Sequence, residues 1–265
     1  MKVLCLTGRY TNADTLKAQL GPLQHLLKPH NITLSFLQGP FIREPPPEYV
    51  NFYGPSPHCV WNLLDVTEEQ EYNMVAGDMF TVDPDVVARV GDLFQGVSTD
   101  RVQKSLDTIF QAIREDGEIS GILGFSEGAA MAASVLLEEQ RLQGTGHYNP
   151  RIKFAILFSG SIPMKIVGDR VQYAGIVEDA PIPIPTLHVL SPTDLFQRLS
   201  AYLFRSCDFD KAEIFVHSTG HLVPRETESL EELKQSILRL VAASQLSSTS
   251  HQASLQIQAF DEEEH

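Results

Sequence analysis

Short, almost wholly apolar runs alternate with amphipathic stretches along most of this chain. Residues 2–6 form the first run. Residues 13–27 carry Leu16, Leu20, Leu23 and Leu27 at helical spacing, with Thr11 or Asn12 placed to cap the helix. A second run at 31–37 completes a strand–helix–strand order, which predicts a parallel sheet with helices on its faces. The rhythm resumes at 99–115, where Val102, Leu106, Ile109, Phe110 and Ile113 share one stripe. Strands follow at 119–123, 151–158, 186–190 and 212–216, and helices at 129–140, 195–205 and 227–241.

Residues 38–99 break the pattern. Pro40, Pro45, Pro46, Pro47, Pro55 and Pro57 are interleaved there with Phe41, Tyr49, Phe52, Tyr53 and Trp61. A long irregular stretch rich in aromatics reads as a lid or pocket wall inserted into the sheet domain. Its acidic part, 65–78, reads as a solvated face. The resulting division is one α/β domain over 1–245, with 39–99 as the insertion, and a polar, acidic, flexible tail at 246–265.

Charge and composition narrow the partners. Asp and Glu outnumber Lys and Arg by 34 to 20, a net charge of −14, which argues against nucleic acid or an anionic membrane surface. No run is long and apolar enough to span a membrane, and residues 2–6 are too short for a secretory leader. Cys5, Cys59 and Cys207 are an odd number without paired spacing and read as free thiols in a reducing compartment. The expectation is a cytoplasmic protein. Metal-ligand spacings and dinucleotide or phosphate-loop glycine patterns are missing from the sequence, so neither a metal nor a cofactor is expected.

Chemistry concentrates on Gly124-Phe125-Ser126-Glu127-Gly128. Its apolar run before and Gly- and Pro-free helix after make the strand–turn–helix context in which a G-x-S-x-G serine becomes an exposed nucleophile. A serine hydroxyl needs an imidazole to take its proton, and the imidazole needs a carboxylate. On a parallel sheet these groups sit in loops at the C-terminal strand ends. Ser126, Asp194 and His221 fall in such loops, in the chain order of α/β-hydrolases. His221 is preferred to His217 because Gly220 lets the loop turn its ring inward, and His188, inside a strand, reads as a core histidine. Asp208 and Asp210 read as caps of the turn before the last strand. The oxyanion donors are expected to be the backbone N–H groups of Glu127 and of Arg9, with Tyr10 next in line. Tyr10, Phe41, Tyr53 and Trp61 are expected in the substrate pocket.

Leu4-Cys5-Leu6-Thr7-Gly8, the Gly-Phe-Ser-x-Gly-Ala elbow at 124–129, the stretch from His188 to Asp194, and Gly220-His221-Leu222-Val223-Pro224 resemble the family serine hydrolases of fungi, from Val3 to about Val241. The resemblance implies an α/β-hydrolase fold with Ser126 as nucleophile, Asp194 as acid and His221 as base. It also places Val60-Trp61 on the family's tryptophan-containing motif near the active site. Some members are polyketide thioesterases, which implies a carrier-bound acyl thioester as substrate and a synthase acyl-carrier domain as partner. Two positions depart from the pattern: Thr7 stands where the family usually has His, and Glu127 where it often has Gln. The reading is a serine hydrolase acting on an ester or thioester of a hydrophobic acyl group. Its rivals are an acyltransferase with the same three residues and a non-catalytic binding protein on the same fold.

Overall fold

The computed structural model describes residues 1–62, 97–174 and 180–263, and gives the backbone alone for Glu48 and for 247–263. The acidic stretch 65–78 and most of the expected insertion therefore lie outside the described residues. Six strands form one sheet: β1 (Lys2–Leu6), β2 (Thr33–Leu37), β5 (Ile119–Phe125), β6 (Phe154–Phe158), β9 (Thr186–Leu190) and β10 (Ala212–Val216). Their order is β10-β9-β6-β5-β1-β2, and every pairing is parallel. Two antiparallel ribbons stand beside it, β3 (Phe41–Ile42) with β4 (Cys59–Val60) and β7 (Met164–Val167) with β8 (Arg170–Tyr173).

Because successive side chains point to opposite faces, each buried strand feeds two cores. Val3, Cys5, Leu123, Phe125, Ile156 and Phe158 pack with α1 (Ala13–Leu27) and with Leu230, Leu233 and Ile237 of the closing helix. Leu4, Leu6, Ile122, Ala155 and Leu157 pack with α2 (Thr99–Glu115), α3 (Glu127–Gln143) and α4 (Gln197–Arg205). Helix α1 is started by Asn12, whose Oδ1 accepts the Thr15 N–H at 2.9 Å. The same side chain donates from Nδ2 to the carbonyls of Pro55 and Pro57, so one residue caps the helix and holds the proline-rich segment.

Several element ends differ from the sequence reading. Strand β6 starts at Phe154 rather than 151, because the backbone N–H groups of Arg151 and Ile152 are taken by the Glu139 carboxylate. Helix α3 starts at Glu127, directly after the serine, rather than at 129. The closing helix α5 runs Thr227–Glu263, well past 241 and through the stretch assigned to the tail, since no Gly or Pro interrupts 227–263. The β7–β8 hairpin, closed at Gly168 with φ 61°, has no counterpart in the sequence reading.

His188 is fully buried in β9, as its position in a strand suggested. Its Nε2 meets Thr186 Oγ1 at 3.2 Å, while Nδ1 has no partner among the described residues. Burial pushes its pKa down to about 3. An unfolded imidazole protonates near its ordinary value of 6.5, so between these pH values the unfolded chain binds the extra proton. The contribution is therefore whole above pH 6.5 and is lost as pH falls toward 3. Urea unfolding across that range is expected to show stability falling by a few kcal/mol, with a shallower fall in His188→Leu.

Candidate active site

All six strands run the same way, so the loops after β1, β5, β6, β9 and β10 share one edge of the sheet. Ser126 follows β5 near the middle of that edge. Its backbone sits at φ 57°, ψ −119°, a region that L-residues rarely occupy, and its N–H is held by the Phe158 carbonyl at 2.9 Å. The turn is this sharp because strand and helix nearly touch. A Cβ at Gly124 would lie 2.3 Å from the Gly128 carbonyl oxygen, and one at Gly128 would lie 2.4 Å from that of Leu6. Only glycine fits at either place.

Asp194 and His221 reach this serine from β9 and β10. His221 Nε2 stands 3.0 Å from Ser126 Oγ, and its Nδ1 is 2.9 Å from Asp194 Oδ2. A carboxylate only accepts, so Nδ1 carries the proton and Nε2 is left to accept from the serine hydroxyl. The imidazole lies between the rings of Phe125 and Phe196, with centroids 5.2 and 5.0 Å away. Gly220, at φ 66°, supplies the bend that carries His221 inward from the edge strand.

The Asp194 side chain is almost wholly buried. Burial by itself drives its pKa up. The hydrogen bond to His221, the attraction of that ring when it is protonated and the Phe196 N–H at 2.8 Å outweigh it and hold the carboxyl below the ordinary value. His217 is also buried. Its Nδ1 accepts the Thr219 N–H at 3.2 Å and meets Thr219 Oγ1 at 2.7 Å, so its proton sits on Nε2, and burial lowers its pKa. It stays in its own loop and does not approach the serine hydroxyl as His221 does. Asp208 caps a turn before β10 by accepting the Asp210 N–H at 3.1 Å, which keeps both acids out of the site.

The first loop and the elbow are joined by contacts that the sequence did not announce. Arg9 Nη1 and Glu127 Oε1 form a largely buried ion pair at 3.8 Å, which brings together the two residues expected to donate N–H groups to an oxyanion. The Glu127 carboxylate also accepts two backbone N–H groups, from Trp61 at Oε2 and Asn62 at Oε1, both at 3.0 Å. Trp61 is fully buried. Its indole N–H donates to the Thr7 carbonyl at 2.8 Å, and its own carbonyl accepts from Ser105 Oγ at 2.6 Å. A side chain with no exposed surface offers none to a substrate, so Trp61 braces the first loop from within the core instead of lining a pocket.

The other three expected pocket residues lie nearer the surface. Tyr10, at φ 59° beside Arg9, meets Tyr53 edge-to-face at 5.1 Å, and Tyr53 meets the exposed Phe52 in the same way at 5.2 Å. Phe41 is half-buried on β3 with the Lys104 ammonium 5.0 Å from its ring centroid.

The family model described as "Serine hydrolase (FSH1)" matches residues 1–233. The probable esterase azaC of Aspergillus niger is 29% identical over 251 residues, covering 90% of this chain and 84% of that protein. The esterase OVCA2 of Danio rerio is 28% identical over 231 residues, covering 84% and 90%. The hydrolase phiM of a fungal species is 25% identical over 237 residues, covering 88% and 91%. The crystal structure of Arabidopsis thaliana SOBER1 aligns with a TM-score of 0.50 at 16% identity, over 91% of this chain and 99% of that one, a likeness of fold alone. The parallel sheet with helices on both faces is an α/β-hydrolase fold. Among the described residues no helix is long and apolar enough to cross a membrane.

The bridge at Glu127 has a measurable energy. Glu127→Gln keeps the shape but replaces one acceptor oxygen by a donor that would face a backbone N–H. The variant is expected to lose about 1–3 kcal/mol in urea unfolding followed by circular dichroism.

Proposed function

The chain belongs to the serine hydrolase (FSH1) family, and from that premise we propose that it cleaves an ester or thioester of a hydrophobic acyl group through an acyl-enzyme on Ser126. One observation carries the reading: the hydrogen-bonded line from Asp194 Oδ2 through His221 to Ser126 Oγ, ending on a strained turn. In the proposed reaction Ser126 Oγ attacks the carbonyl carbon as its proton passes to His221 Nε2. Asp194 holds the ring and stabilises the imidazolium. The tetrahedral intermediate collapses when Nε2 returns the proton to the leaving alcohol or thiol. Water, deprotonated by the same nitrogen, then releases the acid and restores the serine.

Charge that develops on the carbonyl oxygen would be met by two backbone N–H groups. Glu127 is the first residue of α3, so its N–H lies at the positive end of that helix. Arg9 stands second in the turn from Gly8 to Thr11, which is closed by the Thr11 N–H and hydroxyl on the Gly8 carbonyl. The Arg9–Glu127 ion pair supports placing the two donors side by side.

The edge-to-face series Tyr10, Tyr53, Phe52, with Phe41 on the neighbouring ribbon, supports an apolar acyl chain rather than a small polar one. By the family resemblance, the proposed substrate is a polyketide-type thioester carried on an acyl-carrier domain. Lys104, beside Phe41, would set a positive charge at that wall against an acidic carrier, within a chain whose net charge is −14. Cys5, Cys59 and Cys207 are buried free thiols, which supports a reducing, cytoplasmic setting.

Intact-protein mass after fluorophosphonate treatment is expected to show one adduct on the wild type and none on Ser126→Ala. Turnover of p-nitrophenyl esters should rise with acyl length and fall at least about 10⁴-fold in Ser126→Ala. A product that appears faster with added alcohol or amine would identify acyl transfer. A folded wild type that takes no label would make the protein a binder on a hydrolase fold.

A further inference from the structure

The loops that bring the acid and the base together are fastened to each other by two hydroxyls, of which Ser191 holds the shorter and buried contact. Main-chain pairing between β9 and β10 ends where Leu190 faces Val216, with the His217 N–H on the Leu190 carbonyl at 2.9 Å. Beyond that point the chains separate into residues 191–194, which end at Asp194, and 217–221, which end at His221. Ser191, only 2% exposed, spans the gap. Its Oγ accepts the Gly220 N–H at 3.1 Å and the Thr193 N–H at 3.3 Å, and it meets Thr193 Oγ1 at 3.0 Å. Thr193 Oγ1 in turn reaches the Ser218 carbonyl at 3.4 Å.

We infer that Ser191 is a positioning residue for the reaction proposed above, on which this inference rests: its hydroxyl fixes the His221 loop against the Asp194 loop. Gly220 is the bend that aims His221, and a left-handed glycine is also the place where the loop is free to rotate. The hydrogen bond to Ser191 anchors the N–H of that bend, one residue before the base, to a hydroxyl three residues before the acid. Without it, the two loops rely on the longer contact of Thr193 Oγ1 with the Ser218 carbonyl, at 3.4 Å, and on the 2.9 Å contact between His221 Nδ1 and Asp194 Oδ2. The contact between Ser191 and Thr193 is the local turn that a strand-end serine commonly makes. The contact with Gly220 crosses between loops, and no local turn requires it.

The test is kcat and KM, per active site titrated with fluorophosphonate, for wild type, Ser191→Ala, Ser191→Cys and Thr193→Val. A loosened Asp194 orients the ring less well and stabilises the imidazolium of the transition state less. Ser191→Ala is expected to lose roughly 10- to 100-fold in kcat, with KM within about twofold. Thr193→Val removes the longer contact with the Ser218 carbonyl but keeps the one from Ser191 to Gly220, and is expected to lose less in kcat than Ser191→Ala. Ser191→Cys, with a weaker acceptor, should fall between, and it carries the test where the alanine variant does not fold. A wild-type kcat in the folded Ser191 variants overturns the inference. So does a loss that only matches the unlabelled fraction, with kcat per labelled site unchanged, which assigns the hydroxyl to folding alone. A wild type that takes no label at Ser126 overturns the hydrolase reading, and this inference with it.

Discussion

Ser126 is held where an L-residue does not rest by itself, and the surrounding chain is organised to keep it there. Positive φ at a non-glycine residue of this kind costs on the order of 1–3 kcal/mol. The cost is offset by the packing of a central strand against a helix that has no room to withdraw. Gly124 and Gly128 permit the contact, and the Phe158 carbonyl fixes the serine N–H from the next strand. What results is a hydroxyl lifted off the sheet edge at the positive end of α3, within reach of loops from two strands further along.

The remaining groups arrive from both sides of that serine. From β9 and β10 come a nearly buried carboxylate and an imidazole that is lodged between two aromatic rings. From β1 comes the loop of Arg9 and Tyr10, tied to the elbow through Glu127 and backed by Trp61. The Glu127 carboxylate is surrounded by donors: two backbone N–H groups and a guanidinium. Its charge is spent on structure beside the nucleophile, which makes the acid at this position a brace.

Much of this was legible in the sequence because it rested on local pattern. The order of strands and helices followed from apolar runs and helical stripes. The elbow followed from a motif with the right flanks. Asp194 and His221 followed from the rule that a parallel sheet gathers its chemistry at one edge, and the two are found within hydrogen-bond reach of each other and of the serine. What escaped depended on partners far apart in the chain. Nothing local shows that Glu139 withholds the N–H groups of Arg151 and Ile152 from β6, or that Glu127 binds the backbone at Trp61 and Asn62. Trp61 was misplaced for a related reason. An aromatic among prolines has the look of a pocket wall, but this indole has an acceptor waiting at the end of β1 and is buried to reach it. The β7–β8 hairpin did leave a signal, since Gly168-Asp169 between two short strands is a two-residue turn sequence.

Trp61 is also the only tryptophan in the chain. An indole that is excluded from solvent, bonded to the loop of one candidate oxyanion donor and attached through its own backbone to the residue that supplies the other, is a chromophore set at the junction of both. Its ultraviolet emission therefore comes from one known place. The wavelength and intensity of that light register whether first loop and elbow are docked, without any label being introduced into the protein.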